Sequence, residues 1–130
     1  MDEGADVRMN LMEALDMRVI QQAEGYVEMT MPVVDKVKQP FGYLHGGASI
    51  ALGETACSLG AASMVDTAVS IPMGLEMNAN HVGSVQSGTV TAKATCIHAG
   101  RSTQVWDIRI TDKDDRLITV MRGTMMIKHK

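Results

Sequence analysis

The chain has 130 residues, 45% of them apolar and 21% charged, with a formal net charge of −3. These values fit one ordinary globular domain that can bury a core without disulfide or metal staples. They argue against a basic nucleic-acid-binding surface, and no unbroken apolar run reaches the roughly 18 residues of a membrane helix. The acidic start, Met1-Asp2-Glu3-Gly4, is unlike a secretory signal, so the expected location is cytoplasmic.

In chain order, Met9, Leu11, Met12 and Leu15 stand at helical spacing and predict a short helix over 7–15. Gly25 breaks that pattern. Residues 26–34 read as a strand, with Val27, Met29, Met31 and Val33 alternating against Tyr26, Glu28 and Thr30. Pro32 cannot donate to a ladder, which places it near a sheet edge or at the strand's end. Residues 35–45 form a loop. Residues 46–65 are rich in helix formers and apolar on nearly every side, the pattern of a helix buried all round; Glu54 is the only charge in its interior. Strands follow over 74–84, 89–98, 103–111 and 116–128, joined by turns at Gln86-Ser87-Gly88, Ala99-Gly100-Arg101 and Asp112 to Asp115. The expected architecture is therefore α+β: about five antiparallel strands, the last four as a meander, wrapped around one long helix. Such a monomer leaves helix surface or a sheet edge open, and association is the expected remedy.

Twelve methionines against four aromatic residues imply a core filled largely by thioethers. Cys57 and Cys96 are expected to be reduced and buried. His45, His81, His98 and His129 lack the close spacing of metal ligands, so no metal site and no cofactor are expected.

The stretch richest in chemistry runs from Gln39 through His45-Gly46-Gly47 to Glu54 and Ser58. Gly46 and Gly47 open the long helix, where the first N–H groups have no internal partner and the dipole favours negative charge. Such a terminus can polarise a carbonyl oxygen. Glu54 is a carboxylate among Ala51, Leu52, Ala56 and Leu59, costly to bury for stability alone. Ser58, at i+4, shares its face. Gly46 and Glu54 are eight residues apart, roughly 12 Å along a helix. An oxyanion donor and a nucleophile must both lie about 3 Å from one reacting group. If both act, Gly46 of one subunit faces Glu54 of another, as two antiparallel helices about a twofold axis would allow.

This series, together with the Leu75-Glu76-Met77-Asn78-Ala79-Asn80-His81-Val82 segment and the strands after it, resembles the hot-dog-fold thioesterases over nearly the whole chain. The resemblance is to the glutamate-type branch of 4-hydroxybenzoyl-CoA, 1,4-dihydroxy-2-naphthoyl-CoA and aryl-carrier proofreading thioesterases. It implies a single hot-dog domain over 1–130 that hydrolyses an acyl-CoA thioester, with an aromatic hydroxyacyl group as first choice. It implies Glu54 as nucleophile or general base, the Gly46 N–H as oxyanion donor, and Gln39 as positioner of the carboxylate, water or intermediate. His45 would orient the thioester or assist thiolate departure, and Ser58 would support the acyl pocket or the water. Gly47 and His81 would line the substrate site, and Arg101 and Ser102 would touch the nucleotide part of CoA. The implied partners are acyl-CoA and further copies of the chain, as a homodimer or homotetramer. The pattern departs at Gly83, where relatives often carry arginine. Medium-chain acyl-CoA, a carrier-protein thioester, and a non-catalytic acyl-CoA-binding regulatory module are the competing readings. An α/β-hydrolase would need a Gly-x-Ser-x-Gly elbow, which is missing.

Overall fold

The computed structural model describes residues 9–130. Six strands form one antiparallel sheet: β1 (Arg18–Ala23), β2 (Tyr26–Pro32), β3 (Ser70–His81), β4 (Thr89–Ala99), β5 (Thr103–Thr111) and β6 (Leu117–His129), in the spatial order β1-β2-β4-β5-β6-β3. A short helix, α1 (Leu11–Ala14), precedes β1. The long helix, α2 (Gly46–Ser63), lies between β2 and β3 and packs on the sheet. This is the hot-dog arrangement that the resemblance implies, with six strands instead of about five.

The additional strand is β1. All six of its residues are exposed, so it carries no buried face to betray it by alternation. Gly25, at φ 75°, turns β1 back onto β2 and so belongs to a hairpin. The meander also needs correction. Only β4, β5 and β6 follow one another; β3 crosses over to pair with the far side of β6. Pro32 is the last residue of β2, opposite Thr89 of β4 and beyond the reach of β1, whose pairing stops at Thr30. The missing N–H therefore costs no ladder bond.

Helix α1 is shorter than predicted. Asn10 caps it, its side chain accepting from Glu13 N–H at 3.0 Å, and Asp16, at φ 56°, turns the chain away. Residues 7 and 8 of the predicted helix lie outside the described residues. Met12 and Leu15 pack on the core, whereas Met9 and Leu11 are exposed.

The inner face of the sheet is built from alternate residues in register. Thr119, Met121, Gly123 and Met125 of β6 face Ile110, Ile108, Trp106 and Gln104 of β5, with Ala92 and Ala94 of β4 and Met29 and Val27 of β2 beyond them. Onto this surface α2 lays Ser49, Leu52, Gly53, Ala56, Cys57, Gly60 and Ala61, all buried. The helix approaches closely because small residues face large ones: a Cβ at Gly60 would collide with the Trp106 ring, and one at Gly53 with the Met121 sulfur. The opposite side of α2, with Ala51, Glu54, Thr55, Ser58 and Leu59, is only half-covered in the chain. The expectation of burial on every side is thus corrected. An all-apolar helix here has one packed face and one open face.

Candidate active site

The loop before α2 is tied down locally. Val37 is buried, Lys38 bridges to Leu44, and His45 N–H donates to Val37 C=O at 2.9 Å. His45 then serves as the helix N-cap: its Nδ1 accepts from Gly47 N–H at 2.8 Å, and its carbonyl accepts from Ala48 and Ser49 N–H at 3.0 and 3.2 Å. Of the first-turn donors this leaves the Gly46 N–H without a partner among the described residues. It also sets the neutral His45 ring with its proton on Nε2, free to donate outward. The Gly47 N–H is thus taken within the chain and is not among the donors open to a ligand.

The free Gly46 N–H opens into a cleft of about 260 Å³ lined by Gln39, Tyr43, Gly46, Ser49, His81 and Gly83, among others. Gln39 reaches it from the loop, with its Oε1 accepting from Phe41 N–H, so its amide NH₂ is left to donate. His81 reaches it from the end of β3, where its Nδ1 lies 3.1 Å from Thr119 Oγ1 of β6. A Cβ at Gly46 would sit 2.8 Å from His81 Nε2, so glycine at the helix start is what lets the imidazole approach. Beside Gly83 lie the Leu117 carbonyl and the Arg116 guanidinium, which is held by Asp112 Oδ2 at 3.1 Å and by the Ser84 carbonyl. A side chain at 83 would have to displace them, so the packing here suits glycine.

Glu54 and Ser58 lie elsewhere. They line a second hollow, of about 450 Å³, with Leu11, Met12, Ala51, Thr55 and Leu59 on the open face of α2. Glu54 is half-buried and leans on β3, where a Cβ at Gly74 would come within 2.5 Å of its Oε2. The β3 ladder slips between Gly74 and Glu76, and this bulge brings the glycine under the carboxylate. Ser58 Oγ stands 3.9 Å from Met125 Sδ. Behind Glu54, Cys57 is fully buried, its Sγ 3.8 Å from the same sulfur. Burial, with the Glu54 charge adding to it, pushes the Cys57 thiol up to about 12, so it is no nucleophile. Cys96 is half-buried, not buried as expected.

Within one chain, then, the structure joins Gln39, Gly46 and His81 in one cleft and sets Glu54 and Ser58 apart from them. Arg101 and Ser102 are exposed in the β4–β5 turn, beside Thr103, which pairs with Met126. That is seven residues along β6 from Thr119, or roughly 24 Å from the cleft. Among the cleft-lining residues, Tyr43, Ser49 and Ser84 escaped the sequence reading, as did Thr119 behind His81. Ser49, 2% exposed, stands one turn after Gly46, and that i+3 spacing was its only signal. Thr119, fully buried, is the one hydroxyl in an inward row of Met121, Gly123 and Met125. Among the described residues, no group of three or more histidine, cysteine or carboxylate side chains could hold a metal, and no helix is long and apolar enough to cross a membrane.

Comparison with known proteins agrees with this fold. The thioesterase superfamily profile matches residues 41–119. The chain is 46% identical over 122 residues to the 1,4-dihydroxy-2-naphthoyl-CoA hydrolase of Listeria monocytogenes, covering 94% of this chain and 98% of that protein. It is 40% identical over 118 residues to the enzyme of the same name from Escherichia coli, covering 91% and 86%. Among solved structures, a glutamine-to-alanine variant of a thioesterase from Staphylococcus aureus superposes with a TM-score of 0.90 at 62% identity, over 91% of this chain and 98% of that one.

Proposed function

The chain belongs to the thioesterase superfamily, it is a thioester hydrolase, and on that premise we propose that it hydrolyses an aromatic or hydroxyaryl acyl-CoA at a site shared by two copies of the chain. The observation that carries this reading is the division of the site. The unpartnered donor of α2 and the carboxylate of α2 lie in different hollows, eight residues apart on one helix. Two antiparallel copies of the open α2 face would bring each Gly46 to the other's Glu54. Strand β3 supports the same association, because its outer edge has no partner strand among the described residues and it exposes Ile71, Met73 and Leu75.

In this mechanism the thioester carbonyl oxygen accepts from Gly46 N–H at the positive end of α2. Glu54 of the second copy attacks the carbonyl carbon, or takes a proton from the water that does. Negative charge then grows on the oxygen facing the helix terminus. Collapse of the tetrahedral species breaks the C–S bond and expels the CoA thiolate, an acceptable leaving group because thiols ionise near pH 8.5; where Glu54 itself attacked, water then cleaves the resulting anhydride, releasing the acid and restoring the carboxylate. The Gln39 amide and the His45 Nε2–H are further donors that can hold the intermediate and the departing sulfur. The aromatic acyl group is favoured because the Listeria and Escherichia relatives are named for a naphthoyl-CoA substrate.

Two measurements test this. Thiol release from benzoyl-CoA, 4-hydroxybenzoyl-CoA and octanoyl-CoA should give the higher kcat/KM with the aryl thioesters; preference for octanoyl-CoA contradicts the substrate reading. For the shared site, Gly46→Pro removes the donor, and the Cβ it adds also pushes His81 aside; the backbone accepts proline because His45 already holds the extended conformation that precedes it (φ −67°, ψ 131°), so the variant disables this half of the site and leaves Glu54 of the same chain intact. Mixed in equal amounts with Glu54→Ala, it should recover about a quarter of wild-type turnover. Half of the dimers are then hybrid, and each hybrid has one intact site. No recovery, once mass spectrometry confirms subunit exchange, overturns the shared site.

A further inference from the structure

We infer that Thr119 is a positioning residue that fixes His81 as an Nε2–H donor, making the imidazole a second oxyanion donor beside Gly46 N–H. The inference rests on the reading of Gly46 given above and adds a residue and a role to it.

Thr119 is completely buried on the inner face of β6, among Ile110, Met121 and the aliphatic packing of the sheet. Its Oγ1 lies 3.1 Å from His81 Nδ1, on the directly opposed residue of β3, and no other acceptor for the hydroxyl proton is found among the described residues. Two arrangements of that bond exist. If Nδ1–H donated, the threonine proton would be left in an apolar interior with no partner, a cost well above the small difference between imidazole tautomers. The hydroxyl therefore donates to Nδ1, and the neutral ring must carry its proton on Nε2.

Nε2 points into the cleft at the start of α2. An ideal Cβ on Gly46 would lie 2.8 Å from it. Because such a Cβ stands about 2.5 Å from its own backbone nitrogen, Nε2 is at most about 5.3 Å from Gly46 N. Two donors that far apart can both reach a single oxygen at about 3 Å. The Cα–Cβ direction also tilts toward the N-terminus of a helix, so the ring stands on the side from which the Gly46 N–H projects. No proton is transferred. The ring donates one hydrogen bond, which strengthens as the carbonyl oxygen becomes an oxyanion.

The test combines a spectroscopic and a kinetic readout. With ¹⁵N-histidine labelling at about pH 8, above the ordinary histidine range, long-range ¹H–¹⁵N correlations assign the tautomer of each ring without substrate; His81→Gln identifies its signals. Wild type should show His81 as Nε2–H, Thr119→Val should lose that single tautomer, and Thr119→Ser should restore it. With benzoyl-CoA, Thr119→Val should lower kcat about tenfold while KM stays within about twofold, as expected when an interaction made in the transition state is weakened. Thr119→Ser should return to within about threefold of wild type. A wild-type Nδ1–H tautomer overturns the inference. So does a Thr119→Val protein of unchanged kcat, or equal losses in the valine and serine variants, which would mark a packing role. Retained turnover in Gly46→Pro would instead overturn the oxyanion reading, while the tautomer measurement stood independently.

Discussion

The two faces of α2 differ less in polarity than in what covers them. The packed face meets Met121 and Trp106 with glycine, alanine, serine and cysteine, and a single added methyl group has nowhere to go at Gly60. The open face, with Ala51, Thr55, Ser58 and Leu59 around Glu54, carries side chains of nearly the same kind and is half-covered. One face is fixed by steric fit, and the other carries the carboxylate to which the proposed function assigns the chemistry. Substitutions should therefore separate them cleanly, with stability lost on the first and activity on the second.

The largest effect is expected at Glu54. Glu54→Ala should cut kcat by about three orders of magnitude, equivalent to ~4 kcal/mol of transition-state stabilisation, while the melting temperature stays within about 2 °C of wild type because no core contact is lost. A large fall in melting temperature with turnover retained would collapse the distinction between the faces. Next comes Gly60→Ala, which drives a Cβ into the Trp106 ring. That ring is fully buried and anchored by its Nε1–H donating to Gln104 Oε1 at 2.9 Å. Overpacking costs about 1–3 kcal/mol, against about 1 kcal/mol gained from helix propensity. A net loss of about 1 kcal/mol, or roughly 4 °C in melting temperature, is expected with kcat unchanged. Gly53→Ala sharpens the contrast. Its clash is with the sulfur of Met121, on a flexible side chain that can swing aside, so the two contributions should nearly cancel and leave the melting temperature within about 2 °C. The smallest effect is one of reactivity. Cys57 belongs to the packed face, and burial pushes its thiol up to about 12. A raised pKa keeps it protonated at about pH 8, and burial shields it. A maleimide should label only Cys96 in the native protein, and both cysteines after unfolding.

Much of this was legible in the residues. The alternation of Val27, Met29, Met31 and Val33 marked β2, because one face of that strand is buried throughout. Strand β1 gave no such signal: with every residue exposed, it is held by backbone pairing to β2, and hydrogen-bond ladders leave no imprint on side-chain pattern. Among the site residues, Gln39, Gly46 and His81 were named and do share a cleft. Gly47 was named as well, but its N–H is taken by the His45 ring, a local capping bond that the bare Gly-Gly spacing does not reveal.

By itself, the sequence marked most of the elements and the groups able to do chemistry: a long helix that begins at Gly46, a carboxylate eight residues into it, and strands able to cover it. Local periodicity and residue type suffice for those, since they depend on neighbours within a turn or a pleat. Only the tertiary structure decided which side of α2 is packed, that β3 crosses to β6, and that Thr119 stands opposite His81. These are pairings between residues distant in the chain, set by the packing of an entire sheet against one helix, and a helix apolar on all sides carries no stripe to announce which face will be covered.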